Sequence, residues 1–159
     1  MRFFLLDKVT ELTLGKGAAA VKCVTLTDEV LHDHFPNHPI YPGVLIVEGL
    51  AQLGGCLLEA SVNTAATKTL KRAVMVKLDK ISFLNPCGPG DRLTYKATVE
   101  SLSDDAAKLN VEASCDGEAR VKGAITYVLT EVADPQLSAQ RVSTYKLWTR
   151  GLANAPQFR

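Results

Sequence analysis

The chain has little that would let it hold a nucleic acid. Aromatic residues make up only 6% of its 159 residues, too sparse for a base-stacking surface. Lys and Arg total 18 against 17 Asp and Glu, a net charge of +1, so no global field draws a polyanion to it. The four cysteines, Cys23, Cys56, Cys87 and Cys115, stand far apart with no C-x-x-C pair. That speaks against a disulfide framework and for free thiols in a reducing cytoplasm. No repeat or low-complexity tract occurs. The apolar run near the amino terminus, Phe3 to Leu6, stops at Asp7, too soon for the core of a signal peptide. The longest apolar stretch, Val44 to Leu58, contains Glu48 and Gln52 and falls short of the roughly 20 residues a bilayer span needs. It reads as a buried helix, and no membrane span is expected. What is present, 47% hydrophobic and 22% charged residues, suits one domain with a real core.

Ala18 to Leu26 reads as a strand. Thr27-Asp28-Glu29 resembles a helix start with Thr27 as its cap, and Pro36 and Pro39 keep any helix there short. Pro42 stands well just ahead of the next helix, where its missing N–H costs little. That helix should run to about Ser61. Its three glycines, Gly49, Gly54 and Gly55, are poor helix formers and point to something approaching closely, such as a sheet wrapped around it. Val74 to Leu84 is apolar and β-branched. Leu93 to Val99, Leu109 to Cys115 and Ala119 to Tyr127 then alternate apolar and polar, with Asp116-Gly117 as a hairpin turn. Period two over three successive segments means an antiparallel meander with one buried face. One apolar helix with such a sheet gives an α+β layer arrangement. The tail is more polar, and the spacing of Val142, Tyr145 and Trp148 predicts an amphipathic helix on the body.

The chemistry concentrates between His34 and Gln52. His34 lies in a loop punctuated by Pro36, Pro39 and Pro42; taken alone, a loop histidine is most often simply solvated. Glu48 is harder to set aside. An ionised carboxylate amid Val44, Leu45, Ile46, Val47 and Leu50 must find a partner, face water or take up a proton, and a glutamate that takes up a proton is a general acid. Gln52, four residues on, shares its face and could orient it. Gly43 opens the helix, where N–H groups lack partners, and no side chain shields its N–H from an oxyanion. Base, acid and oxyanion donor together suit proton abstraction next to a carbonyl. The rival reading is a metal held by His32, His34 and His38, but the prolines oppose convergence and no further ligand completes a known spacing; no metal is expected.

The string His34-Phe35-Pro36-x-x-Pro39-x-x-Pro42-Gly43-Val44-Leu45-x-x-Glu48-x-x-Ala51-Gln52 resembles the active-site signature of the FabZ-type 3-hydroxyacyl-[acyl-carrier-protein] dehydratases. Phe83-x-x-Pro86-x-x-Pro89-Gly90-Asp91 resembles the family's strand and turn after the helix, and Phe4-Leu5-Leu6-Asp7-Lys8-Val9 its opening. The likeness spans roughly residues 3 to 130. A glutamate as the acid points to FabZ-like rather than FabA-like enzymes, which carry Asp there. The resemblance implies a hotdog fold, an antiparallel sheet around one long central helix, and a homodimer, with a trimer of dimers as a larger assembly. Its active sites would straddle the interface, His34 from one subunit and Glu48 from the other. It implies loss of water from a 3-hydroxyacyl thioester to give a trans-2-enoyl thioester, without cofactor, the substrate riding on the phosphopantetheine of acyl carrier protein. His34 would take the α-proton, Glu48 would help the hydroxyl leave, and the Gly43 N–H would polarise the carbonyl. The Ile40 carbonyl would hold Nδ1 of His34. Lys71, Arg72, Lys77, Lys80 and Arg92 are candidates to meet the acidic carrier.

The sequence departs from the family at Asp33, where Gly is usual, at Tyr41, where Met is common, at Gly49, usually Ala, and in a longer tail. Tyr41 would narrow the acyl tunnel or add a hydroxyl to it. The chain divides as a dehydratase domain over 1–134 and an extension over 135–159. Two other readings compete: a hotdog thioesterase, and a non-catalytic homologue that binds carrier protein or an active partner.

Overall fold

The computed structural model describes residues 3–131 and 134–159. Met1 and Arg2, which open the amino-terminal stretch read above, and the pair 132–133 lie outside them. Six strands form one antiparallel sheet: β1 (Lys8–Thr13), β2 (Gly17–Cys23), β3 (Lys71–Phe83), β4 (Arg92–Leu102), β5 (Ala106–Cys115) and β6 (Glu118–Glu131), in the spatial order β1-β2-β4-β5-β6-β3. The meander expected from the alternation is β4-β5-β6. The β5–β6 turn has Asp116 at φ 51° and Gly117 at φ 83°, the left-handed pair a two-residue hairpin requires. The inward residues Leu93, Tyr95, Leu109, Ala113 and Ile125 are fully buried.

The sheet wraps helix α1 (Gly43–Val62). By length and composition α1 could cross a membrane, yet 72% of its apolar window is buried inside the fold, and Leu50, Leu53, Leu57 and Leu58 are inaccessible to solvent. Pro42 caps its start. Its end is tied to β3 by Asn63, whose amide accepts from Lys71 N at 2.9 Å and donates to Lys71 O at 2.8 Å.

Two of the three helix glycines answer to the sheet. A Cβ on Gly49 would lie 2.7 Å from both the Leu5 carbonyl and the Tyr95 ring, and one on Gly54 would collide with the Tyr127 hydroxyl. Gly55 differs: a Cβ there meets only the Tyr145 hydroxyl, at 3.6 Å, an ordinary contact with the tail helix rather than the sheet.

Two local expectations need correction. The segment after β2 forms a single 3-10 turn (Glu29–Leu31) capped by Asp28, not Thr27. The Asp28 carboxylate accepts from Thr25 N at 3.1 Å and faces Lys22 Nζ at 3.5 Å, so it serves the preceding turn instead. The strand expected over Ala18–Leu26 ends at Cys23. On β3, Val74, Val76 and Leu78 are exposed: β3 is an edge strand, and its apolar composition does not report core.

The tail forms α2 (Pro135–Thr149). Asp134 caps it, accepting from the Gln136 and Leu137 amides at 2.8 and 3.1 Å. Tyr145, Trp148 and Phe158 join the main core, with Val142 half-buried beside them.

Candidate active site

The loop before α1 is held from both sides. The Ile40 N–H donates to the His34 carbonyl at 2.8 Å, and His34 Nδ1 meets the Ile40 carbonyl at 2.7 Å. A carbonyl only accepts, so Nδ1 carries the proton and Nε2 keeps its lone pair in the neutral ring. Phe35 and His38 exchange backbone hydrogen bonds at 3.0 and 2.9 Å, with Asn37 at φ 59° between them, and the His34–Phe35 peptide is cis. The Phe35 ring stacks on His34, centroids 4.3 Å apart. The Tyr41 N–H donates to the Cys87 carbonyl at 2.7 Å, which ties this loop to the Pro86–Pro89 turn. His34 is half-buried and Asp33 exposed. Among the described residues, His32, His34 and His38 form no group that could hold a metal ion.

Glu48 is also half-buried. It finds a partner, as a carboxylate among apolar residues must: Gln52 Nε2 donates to it at 3.2 Å. Gln52 is fully engaged besides, donating to the Phe3 carbonyl and accepting from Leu5 N, both at 3.0 Å. One amide thus orients the acid and stitches the amino-terminal segment to α1.

The two ends of the site open onto different cavities. Glu48 and Gln52 line one of about 470 Å³, with Ala51, Gly55 and Tyr127. Ile40, Tyr41 and Gly43 line another of about 280 Å³, with Phe83 and Arg120. Neither cavity holds His34 together with Glu48. Gly43 begins α1, where helix geometry gives its N–H no intrahelical acceptor, and the Phe83 ring packs against its Cα so closely that any side chain there would strike it. Tyr41 is buried, and desolvation, aided by Asp28, pushes its hydroxyl well above the ordinary phenol range.

Among the cationic candidates, Arg72 is misassigned as a carrier contact. Its side chain is 3% exposed and pairs with Glu59 at 3.2 Å, so it can meet no partner protein. Lys77 and Lys71 are paired with Asp79 at 2.7 Å and Asp105 at 3.3 Å, while Lys80 and Arg92 are exposed.

The residues that sequence reasoning missed lie beside the first cavity. Glu59, three turns beyond Glu48 on α1, is 2% exposed. It binds Arg72, Arg141 of α2 and the Ala73 N–H. The signal was available, since a carboxylate between Leu58 and Ala60 obeys the same burial argument applied to Glu48.

Comparison with known proteins identifies the family and the fold. A family model described as the FabA-like domain matches residues 1–127. A 3-hydroxyacyl-[acyl-carrier-protein] dehydratase FabZ from Campylobacter curvus is 40% identical over 129 residues, 77% of this chain and 87% of that one. Among solved structures, the dehydratase heterocomplex ApeI:P from Xenorhabdus doucetiae superposes with a TM-score of 0.65 at 15% identity, covering 87% of this chain and 88% of that one. A hot-dog-like protein from Thermanaerovibrio acidaminovorans does so with a TM-score of 0.61 at 19% identity, covering 90% and 96%. The sheet wrapped on α1 is thus a hotdog fold, and the chain belongs to the FabA-like family, in its FabZ branch.

Proposed function

We propose that the protein dehydrates 3-hydroxyacyl thioesters carried on acyl carrier protein to trans-2-enoyl thioesters, as a step of fatty-acid synthesis in the cytoplasm. The observation that carries this reading is the state of His34. With Nδ1–H committed to the Ile40 carbonyl, Nε2 is a neutral base of fixed direction. It takes the proton from the α-carbon. The electron pair forms the double bond as the C3–O bond breaks, with the developing charge on the thioester oxygen met by the Gly43 N–H. Glu48, held by Gln52, acts as the general acid and passes a proton to the departing hydroxyl, which leaves as water. The proton on His34 then returns to Glu48 through solvent. Acid and base steps of this kind contribute about 10²–10⁴-fold each, and the chemistry calls for no cofactor. Tyr41 forms part of the wall by Gly43.

In our reading two copies complete each site, His34 from one and Glu48 from the other. What supports this is the separation of the two cavities together with the β3 edge. Val74, Val76 and Leu78 are 40%, 55% and 45% exposed on a terminal strand, an apolar edge that calls for pairing. A second copy paired there would cover it.

The test uses 3-hydroxyacyl carrier proteins with mass detection of products. The wild type should yield the enoyl thioester, and His34→Ala and Glu48→Gln should lose at least about a hundredfold in kcat. Release of free acid instead would indicate a thioesterase, and no turnover at all a non-catalytic homologue. Mixing the two variants checks the shared site. Randomly re-formed dimers should recover about a quarter of the wild-type rate, because half are mixed and each mixed dimer keeps one intact site. No recovery would place both groups in one chain.

A further inference from the structure

We propose that helix α2 is the specificity wall of the acyl site: it closes the Glu48 cavity from outside and limits the length of the hydrocarbon tail the enzyme accepts. The inference rests on the dehydratase reading above. It adds a segment that lies beyond residues 1–127, which carry the family match.

Leu137, Gln140, Arg141, Thr144, Tyr145 and Trp148 line the same cavity as Glu48. Their spacing by three, four, seven and eleven places them along one helix face, so α2 presents its whole inner face to the cavity. Opposite stand Ala51 and Gly55 of α1, whose small side chains leave the room between the two helices empty. Glu48 lines the same room, about two turns before Gly55 on α1. A substrate whose 3-hydroxyl lies at Glu48 has its tail directed along this space, towards α2.

A wall sets a length only if it does not yield, and α2 is fastened at several points. Asp134 caps its first turn. Arg141 binds the Glu59 carboxylate and reaches the Ala73 carbonyl at 3.4 Å. Trp148 is buried with its ring edge-on to Phe4 at 5.9 Å, and Tyr145 packs on Phe158 at 5.2 Å. The one cation in the wall, Arg141, is already matched by Glu59. The cavity therefore favours an uncharged hydrocarbon tail over one ending in a carboxylate.

The experiment measures kcat/KM of the full chain on 3-hydroxybutyryl, 3-hydroxyoctanoyl and 3-hydroxyhexadecanoyl carrier proteins. Thr144→Trp fills the cavity. Leu147→Trp adds the same bulk to α2 at a site 48% exposed and outside the cavity lining. Thr144→Trp should lower kcat/KM for the longest substrate the wild type accepts by about tenfold or more and change 3-hydroxybutyryl by less than about twofold. Leu147→Trp should leave the length profile unchanged. Leu137→Ala, at a partly exposed position whose truncation the fold tolerates, should raise the longest-to-shortest ratio and carries the test if Thr144→Trp fails to fold. A wild type that dehydrates none of the three refutes the dehydratase reading and this inference with it. A wild type that turns them over, with Thr144→Trp or Leu137→Ala scaling every length alike, refutes the inference alone.

Discussion

Replacing Glu59 with Gln should destabilise the protein more than any other single change in its ion network. The carboxylate is 2% exposed and faces two guanidinium groups, Arg72 at 3% side-chain exposure and Arg141 at 31%. The amide keeps the shape and can still accept from the Ala73 N–H, so the substitution removes charge and little else. Arg72 is then left buried with only the Arg159 oxygen, at 3.3 Å, to accept from it, and losing its carboxylate partner costs about 3–5 kcal/mol. With a urea dependence of about 2 kcal/mol per molar for a protein of this size, the midpoint should fall by roughly 2 M. Removing a cation instead should cost less, because Glu59 keeps the other. Arg141→Met takes away the more exposed one and should cost about 1 kcal/mol; Arg72→Met should fall between. The assay is equilibrium unfolding in urea at one fixed protein concentration, since pairing of chains would make the midpoint concentration-dependent. A loss under about 1 kcal/mol for Glu59→Gln, or one equal to that of Arg141→Met, would refute the argument that charge burial rather than packing governs this corner.

The two neighbouring helix glycines should respond in opposite directions. Gly54→Ala drives a methyl into the Tyr127 hydroxyl, itself bonded to the Ala51 carbonyl at 3.0 Å, and should cost about 1–3 kcal/mol. Gly55→Ala meets nothing closer than 3.6 Å and should be neutral or stabilising by up to about 1 kcal/mol; thermal midpoints of both variants decide. Native protein should expose one thiol per chain to a disulfide reagent at neutral pH, that of Cys23, because Cys56, Cys87 and Cys115 are buried, and a count above one would contradict the core packing. Stability should also decline in alkali. Burial pushes the Cys87 thiol up to about 11 from 9.0 and raises the Cys56 thiol and the Tyr127 hydroxyl further. The folded chain holds these protons longer than the unfolded one, so the contribution is complete below pH 9 and is lost as pH climbs towards 11. A thermal midpoint that stays flat across that window would exclude it.

The meander, the Asp116-Gly117 turn and the start of α1 were legible because each rests on short-range rules: period two, a left-handed turn pair, a proline before a helix. The His34-to-Gln52 string was legible as chemistry for a similar reason, since proline, histidine and a carboxylate in an apolar run each carry a local cost that needs an answer. Edge and centre were not legible. β3 reads as apolar as any core strand, and only the sheet order leaves Val76 and Leu78 outside. The partner of Arg72 was hidden too, because Glu59 lies 13 residues away in sequence and on another element. The inner face of α2 mixes Leu137 and Trp148 with Gln140, Arg141 and Thr144, so hydropathy alone does not mark it as the lining of a cavity.

The place of β3 at the sheet edge also fixes the order of events during synthesis. It is translated before β4, β5 and β6, yet the strand it pairs with in the sheet is β6, the last. At ordinary rates of about 5–20 residues per second, β3 waits some seconds on the ribosome before that strand exists. Through that interval both of its edges are open, with Val74, Val76 and Leu78 in a row. The nascent chain is therefore most vulnerable to misassociation midway through translation, and slow translation downstream of Phe83 should lower soluble yield more than the same delay upstream of Lys71.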